Sequence, residues 1–168
     1  MNRNLIIVVI FINFIIIITP MSLPTGRYHD YKNHTCIRDC SKSTQPMICE
    51  YDFILETYTS MSRACYLCPL NGTDCLREHC VPVDGYKRTI QVANRLLPGP
   101  SIQVCKGDTI VVNVENRLEA DEGTSIHWHG MRQKNTNFMD GPAMITQCPI
   151  MRNNKMRYEY ASLLFIKN

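Results

Sequence analysis

The sequence lacks a concentrated basic stretch, which argues against a nucleic-acid partner. Its 18 Lys and Arg residues and 15 Asp and Glu residues leave a formal net charge of +3. The basic residues are scattered, apart from short pairs such as Lys87-Arg88, and no stripe of basic residues with interleaved aromatics occurs. Charge-driven nucleic-acid binding normally shows such a stripe. We therefore expect no nucleic-acid partner.

Long apolar runs are also scarce, and the longest one stands at the start of the chain. Residues 5–18 are apolar apart from Asn13, follow Arg3 and end before Pro20. A membrane-spanning helix usually needs about 20 apolar residues, whereas a basic start and a shorter apolar run are typical of a secretory signal. We predict a signal peptide in residues 1–22 and a secreted protein. Because no small-x-small cleavage triplet precedes Leu23, an uncleaved signal anchor is the alternative.

Cysteine, by contrast, is abundant. The chain has nine cysteines, of which seven lie in the predicted cysteine-rich region, residues 23–80: Cys36, Cys40, Cys49, Cys65, Cys68, Cys75 and Cys80. Behind a secretory signal, this content implies an oxidising compartment and a disulfide framework. Few apolar runs occur here, so we expect a loop-rich region that buries little core and is ordered by cross-links. The spacing does not reveal the pairing, and its irregularity favours disulfides over a zinc ribbon.

The same region carries two sequence triplets that accept N-linked glycans. These are Asn33-His34-Thr35 and Asn71-Gly72-Thr73, both in polar, turn-rich surroundings. In an exported protein such triplets predict a surface position and glycosylation.

The pattern changes near Val81, where short β-type runs alternate with turn residues. We predict strands over residues 86–92, 101–104, 109–116, 125–128 and 155–160. In the third run Ile110, Val112 and Val114 alternate with other residues, the period expected when one face of a sheet is more deeply buried. Closely spaced short strands favour an antiparallel sandwich or barrel over alternating βα units. The predicted domain, residues 81–160, is therefore all-β.

The segment Ser125-Ile126-His127-Trp128-His129-Gly130 holds the most informative residues. In a strand, side chains two apart face the same way with Cα atoms about 6.5 to 7 Å apart, so His127 and His129 project together. Trp128 then points to the opposite face and anchors the segment in apolar packing. Two neighbouring imidazoles can bind one metal ion or bracket adjacent ions. The plain alternative is two exposed histidines beside a core tryptophan.

Several ordered blocks resemble the first cupredoxin (plastocyanin-like) domain of laccase-type multicopper oxidases. They are Arg95-Leu96-Leu97-Pro98-Gly99-Pro100-Ser101-Ile102, Lys106-Gly107-Asp108, the run 110–118, His127-Trp128-His129-Gly130, Met139-Asp140-Gly141 and Thr146-Gln147-Cys148-Pro149-Ile150. Each block is modest, but their order is specific. The cysteine-rich lead-in most resembles that of insect-type laccases, and the resemblance covers about residues 36–160.

This resemblance implies a fold, a cofactor and a set of site residues. The fold is a cupredoxin-like Greek-key β-sandwich or barrel. In this family a type 1 copper takes electrons from a phenolic substrate, and a trinuclear copper cluster uses them to reduce dioxygen to water. By the resemblance, His127 is a ligand of the type 2 copper and His129 of one type 3 copper, with Asp140 as a candidate support for the site. The plain interpretation of Asp140-Gly141 is a turn.

The sequence also departs from the family pattern. No histidine follows His129, so the family's second His-x-His is absent, as are the His-Cys-His segment and the type 1 site. Residues 161–168 form a divergent tail, and the domain is expected to be incomplete at its C-terminal end. Two ligands cannot hold three coppers. We therefore assign no catalytic residue and expect no turnover without the missing cupredoxin domains.

Three origins fit this pattern: a fragment, a wrongly predicted reading frame or a true short form. The alternative function is a non-enzymatic, secreted, cysteine-rich cupredoxin-like binding module. Cys148 is expected to be the unpaired cysteine, because in family members the cysteine of this block can bridge to a later domain. His29, His34 and His79 are expected to be solvated and not to bind metal.

Overall fold

The computed structural model describes residues 31–42, 45–119, 121 and 123–162, together with two short paired strands, β1 (Ile10–Phe11) and β2 (Phe14–Ile15). Apart from these strands, the predicted signal segment lies outside the described residues, as do His29 and residues 163–168 of the predicted tail. In the part of the chain that is described, no helix has the length and apolar character needed to cross a membrane.

A four-stranded sheet organises the molecule. Its strands are β3 (Ile48–Thr59), β4 (Thr89–Ala93), β5 (Thr109–Arg117) and β6 (Lys155–Ala161), in the order β4-β3-β5-β6. Helical structure in the described residues consists of the short 3-10 helices Arg63–Cys65, Gly72–Leu76 and Asn137–Met139. The all-β class is confirmed.

The pairing of the two central strands differs from the expectation of an antiparallel sheet. β3 runs parallel to β5, whereas β4 and β6 pair antiparallel with their neighbours. Parallel neighbours need a long connection, because the chain must return to the same end of the sheet. The segment between β3 and β5 makes that return. It contains strand β4 and the 3-10 helices Arg63–Cys65 and Gly72–Leu76.

The strand predictions succeed where the alternating segment also pairs with a neighbour. The predicted strands 109–116 and 155–160 are confirmed as β5 and β6, and the run 86–92 is reduced to β4. Predictions for 101–104 and 125–128 are wrong, because neither segment joins a ladder. Ile102, Val104 and Ile126 nevertheless pack against the core. A β-type sequence therefore indicated which side chains pack against the core. An extended segment that lies on a sheet without pairing to it buries side chains in the same way.

The expectation that residues 23–80 bury little core is wrong. They contain β3, the longest strand, in which Cys49, Tyr51 and Phe53 are buried and alternate with exposed Glu50 and Asp52. The sheet therefore includes a strand from each side of the boundary that the sequence pattern places near Val81. The period-two pattern of a strand is present in residues 48–53, within the cysteine-rich region.

One face of the sheet is apolar and the other is mainly polar. Tyr51, Val112 and Tyr158 lie side by side on β3, β5 and β6, and all three are buried. On the opposite face, Arg157 donates a hydrogen bond from Nη1 to Glu50 Oε1 at 2.8 Å. The apolar face is thus available to receive the segment that carries the histidine pair.

Four disulfides tie the cysteine-rich region together and to the sheet. They join Cys36 to Cys49, Cys40 to Cys105, Cys65 to Cys80 and Cys68 to Cys75. The disulfide framework is confirmed. The four cysteines that a zinc ribbon would need as ligands form two of these disulfides, Cys65–Cys80 and Cys68–Cys75. Cys148 is the free, exposed cysteine among the described residues.

A buried carboxylate links the start of this region to the start of β5. Asp108 is fully buried and accepts hydrogen bonds from both terminal nitrogens of Arg38, at 2.7 and 2.8 Å. It also accepts bonds from the backbone N–H groups of Met47 and Cys105, each at 2.8 Å. All four bonds point to an ionised carboxylate, which holds three separate parts of the chain.

Candidate metal centre

The histidine-bearing segment is held on the sheet by backbone and side-chain hydrogen bonds. Thr124 and Ile150 exchange backbone bonds of 3.0 and 2.7 Å, and Asn116 Nδ2 donates to the Ile150 carbonyl at 2.7 Å. Two residues further on, the Ile126 N–H donates to the Tyr158 hydroxyl at 3.2 Å. The segment therefore keeps a defined position although it is not a strand of the sheet.

Trp128 anchors the segment in the core. Its side chain is buried, and its ring lies 5.3 Å from that of Tyr158 at an interplanar angle of 75° and 5.2 Å from that of Tyr160 at 50°. Edge-on and tilted aromatic contacts of this kind add to the free energy gained by burial. Burial of this indole sets the rotation of the segment about its own axis.

His127 and His129 lie next to each other at the surface. Their ring centroids are 5.9 Å apart with an interplanar angle of 78°, and both residues are exposed. The predicted arrangement of two neighbouring imidazoles with the indole turned into the core is thus present. It arises from the extended backbone alone, because no strand pairing is needed for side chains two apart to share a side.

The orientation of His127 is set by the loop that follows the site. His127 Nδ1 lies 2.7 Å from the Asp140 carbonyl oxygen. A carbonyl only accepts, so Nδ1 carries a proton, and in the neutral imidazole the free lone pair is then on Nε2. The Asp140 carboxylate lies 3.6 Å from the same nitrogen, beyond ordinary hydrogen-bond distance. The support expected from Asp140 therefore comes through its backbone, and the sequence signal for it was the Asp140-Gly141 turn.

These residues fit part of a copper site. Neutral imidazole is a good copper ligand, and a ligating histidine commonly donates its other ring N–H to an acceptor that fixes the ring. The Asp140 carbonyl provides this acceptor for His127, and the exposure of both rings leaves room for an ion. The pair supplies two donors, fewer than one copper needs.

Within the described part of the chain, the other cluster of potential ligands does not form a comparable site. Cys36, Cys49 and Asp108 lie close together, but the two sulfurs are bonded to each other and the carboxylate is engaged by Arg38. The expectation that His34 is solvated is wrong: Nδ1 accepts from the Cys36 N–H at 3.2 Å, and Nε2 donates to a backbone carbonyl at 3.0 Å. Both ring nitrogens are therefore occupied.

The family model described as multicopper oxidase matches residues 75–163, just over half of the sequence. The chain belongs to the multicopper oxidase family. Membership implies copper as the cofactor, and it agrees with the ordered blocks and the histidine pair described above.

The individual relatives include laccases. The chain is 53% identical over 77 residues to Laccase-1 of Cryptococcus neoformans var. grubii, which is 46% of this chain and 12% of that protein. It is 45% identical over 80 residues to Laccase-2 of Fomitopsis schrenkii, which is 46% of this chain and 15% of that protein. The chain therefore spans well under a fifth of the length of these curated relatives.

The fold is shared with a solved laccase. The laccase from Botrytis aclada superposes with a TM-score of 0.54 and 30% identity, over 75% of this chain and 20% of that one. The cupredoxin-like fold is thereby confirmed. These relatives are fungal, so the comparisons show the multicopper oxidase family but not the insect-type subgroup.

Proposed function

We propose that this chain supplies His127 as a ligand of the type 2 copper and His129 as a ligand of one type 3 copper in a secreted laccase-type oxidase. In the complete enzyme, one-electron oxidation of phenolic substrates is coupled to reduction of dioxygen to water. The observation that carries the proposal is the exposed pair of imidazoles, 5.9 Å apart, with His127 oriented by the Asp140 carbonyl.

The chain's own residues bind and orient in this proposal. Bound copper supplies one-electron redox chemistry. His127 presents the Nε2 lone pair because its Nδ1 proton is donated to Asp140, and this bond also increases the basicity of the ligating nitrogen. Trp128 keeps the two imidazoles on the outer side, because turning them inward would expose the indole and bury two polar rings.

Two donors do not complete a copper site, so we propose that the chain alone does not reduce dioxygen. The remaining ligands would come from further cupredoxin domains, with which the exposed histidine side makes contact. Because metal affinity depends on the number and geometry of ligands, copper held by this chain alone should be weakly bound.

The resemblance of the cysteine-rich lead-in to that of insect-type laccases supports our proposal of the insect-type subgroup. The same region is the basis of the second candidate function, a non-enzymatic binding module. Nested disulfides Cys65–Cys80 and Cys68–Cys75 hold a segment on which Leu70 and Leu76 are 92% and 86% exposed. A rigid loop with exposed apolar side chains suits a non-enzymatic binding module. Sequencing the transcript beyond the Tyr160 codon separates the two candidates, because further His-x-His motifs would support the oxidase and a genuine stop the module.

A copper titration tests the ligand assignment directly. We expect Cu²⁺ bound to the disulfide-intact chain to show nitrogen coupling from imidazole by electron paramagnetic resonance. Either His127→Ala or His129→Ala should weaken binding by about tenfold or more, since each removes one of two donors. His79→Ala is the matched control and should bind as the wild type does. Equal affinities for all four proteins would contradict the assignment.

In the complete enzyme the same substitutions separate the two copper centres. His127→Ala or His129→Ala should abolish dioxygen reduction and leave the blue absorption of the type 1 copper largely intact, because the pair belongs to the other centre. Loss of the blue absorption with unchanged oxygen consumption would overturn the proposal.

A further inference from the structure

Gly141 makes an unusually close backbone contact with the histidine-bearing segment. It is buried and has a φ of +108°, and a Cβ built on it would lie 2.3 Å from the Ile126 carbonyl oxygen and 2.5 Å from His127 Cα. Both atoms belong to the backbone and cannot rotate away. Any side chain at position 141 must therefore push the two segments apart.

The residue before this contact makes the hydrogen bond that orients His127. The Asp140 carbonyl oxygen accepts from His127 Nδ1 at 2.7 Å. This carbonyl group and Gly141 belong to the same peptide unit, so a displacement of Gly141 moves the acceptor. Because hydrogen bonds weaken steeply with distance and misalignment, a shift of a few tenths of an ångström at Gly141 suffices to lengthen this one.

We propose that Gly141 is a positioning residue whose missing side chain lets the loop close on His127 and selects the ring form protonated at Nδ1. The metal-binding consequence rests on the proposed function, because it assumes that His127 binds copper through Nε2. Neither Gly141 nor its peptide touches the ion in this proposal. It acts through the Asp140 carbonyl, which holds the ring.

The effect of the steric collision at Gly141 can be separated from the effect of its positive φ, because the chain contains a second glycine with a similar φ and no close neighbour. Gly107 has a φ of +93°, similar to that of Gly141, but a Cβ there meets no atom within 4 Å. Alanine at either position carries the penalty of a left-handed backbone. Alanine at position 141 alone carries the collision with His127, so Gly107→Ala controls for conformational strain.

Nitrogen-15 NMR of the histidine side chains tests the proposal on the disulfide-intact chain without metal. In the wild type and in Gly107→Ala, we expect His127 to populate the Nδ1-protonated form at least tenfold over the other. Gly141→Ala should lose this preference. Asp140→Asn keeps the backbone carbonyl and should retain it. An unchanged preference in folded Gly141→Ala, or loss of the preference in Asp140→Asn, would overturn the positioning role.

The wild-type spectrum keeps the proposal testable if Gly141→Ala does not fold. A wild-type His127 protonated mainly at Nε2 would refute it without any variant. A copper titration then separates this inference from the proposed function: Gly141→Ala should bind Cu²⁺ about tenfold more weakly than Gly107→Ala. If the NMR preference is lost but copper affinity is unchanged, the positioning role stands and ligation through His127 Nε2 is refuted.

Discussion

Replacing Asp108 by asparagine should destabilise the protein by about 3 to 5 kcal/mol, the usual cost of breaking a buried ion pair from one side. Asp108 has no exposed side-chain surface, and its partner Arg38 is 15% exposed. The substitution keeps the size of the side chain and removes its charge. It therefore tests the electrostatic link between the cysteine-rich region and the sheet.

The magnitude follows from the four hydrogen bonds. Oδ1 accepts from Arg38 Nη2 and the Met47 N–H, and Oδ2 accepts from Arg38 Nη1 and the Cys105 N–H. An asparagine amide group can replace only one of these oxygens as acceptor, so in either orientation two N–H donors face an NH₂ group. Two donors that lose their carboxylate acceptor, at about 1 to 3 kcal/mol each, agree with the expected loss.

Urea unfolding with the disulfides intact measures this loss. The sequence has a single tryptophan, Trp128, which is buried, so its fluorescence reports unfolding. Asp84→Asn is the matched control, because Asp84 forms an exposed ion pair with Arg88 and such pairs contribute about 0 to 1 kcal/mol. If Asp108→Asn and Asp84→Asn lose the same free energy of unfolding, the reasoning about the buried carboxylate is wrong.

The pH dependence provides a second readout of the same group. Burial raises the pKa of Asp108, but the hydrogen bonds from Arg38, Met47 and Cys105 outweigh it, and the pKa lies below its ordinary value of 3.8. The unfolded carboxyl group therefore binds a proton at higher pH than the folded one. This contribution to stability is present above about pH 4 and is lost as the pH falls through the folded pKa. Asp108→Asn should lack that part of the acid destabilisation, and an unchanged pH profile would contradict the assignment.

Three further outcomes are expected. A maleimide reagent should label the native, disulfide-intact protein at Cys148, which mass spectrometry of the labelled peptide would show, and labelling at another position would contradict the disulfide assignment. Trp128→Ala should cost about 3 to 5 kcal/mol in the free energy of unfolding and Trp128→Phe less, measured by circular dichroism, because the ring packs on Tyr158 and Tyr160. Burial raises the pKa of Tyr160 well above that of free tyrosine. Tyr160→Phe should therefore leave the phenolate absorbance titration of the native protein unchanged up to the pH of unfolding. A reduced amplitude would show that Tyr160 ionises in the folded protein and would contradict this prediction.

Local backbone geometry predicts the orientation of the two histidines but not the hydrogen-bond partner of His127. That His127 and His129 share a side and Trp128 takes the other follows from the extended backbone, and it holds even though the predicted strand 125–128 joins no ladder. The acceptor for His127 lies 13 residues further along the chain. No periodicity connects the two positions, so only the packed loop reveals their hydrogen bond.

In the sheet, the existence of strands could likewise be predicted from the sequence, whereas their pairing could not. Alternation in residues 109–116 and the β-type run 155–160 predicted β5 and β6 nearly to the residue. The same pattern in β3 was present but stood among closely spaced cysteines, and its parallel pairing with β5 depends on a connection through the segment 60–108. Strand existence is a local property, whereas the choice of neighbour depends on the path of the whole chain.

By itself, the sequence determined the family, the all-β class and the outward pairing of the two imidazoles, because ordered motifs and side-chain alternation are properties of consecutive residues. The tertiary structure decided the disulfide partners, the buried Arg38–Asp108 link and the contact of Gly141 with His127. These features join residues far apart in the chain. Their distances are set by how the loops pack on the sheet, which no local pattern specifies.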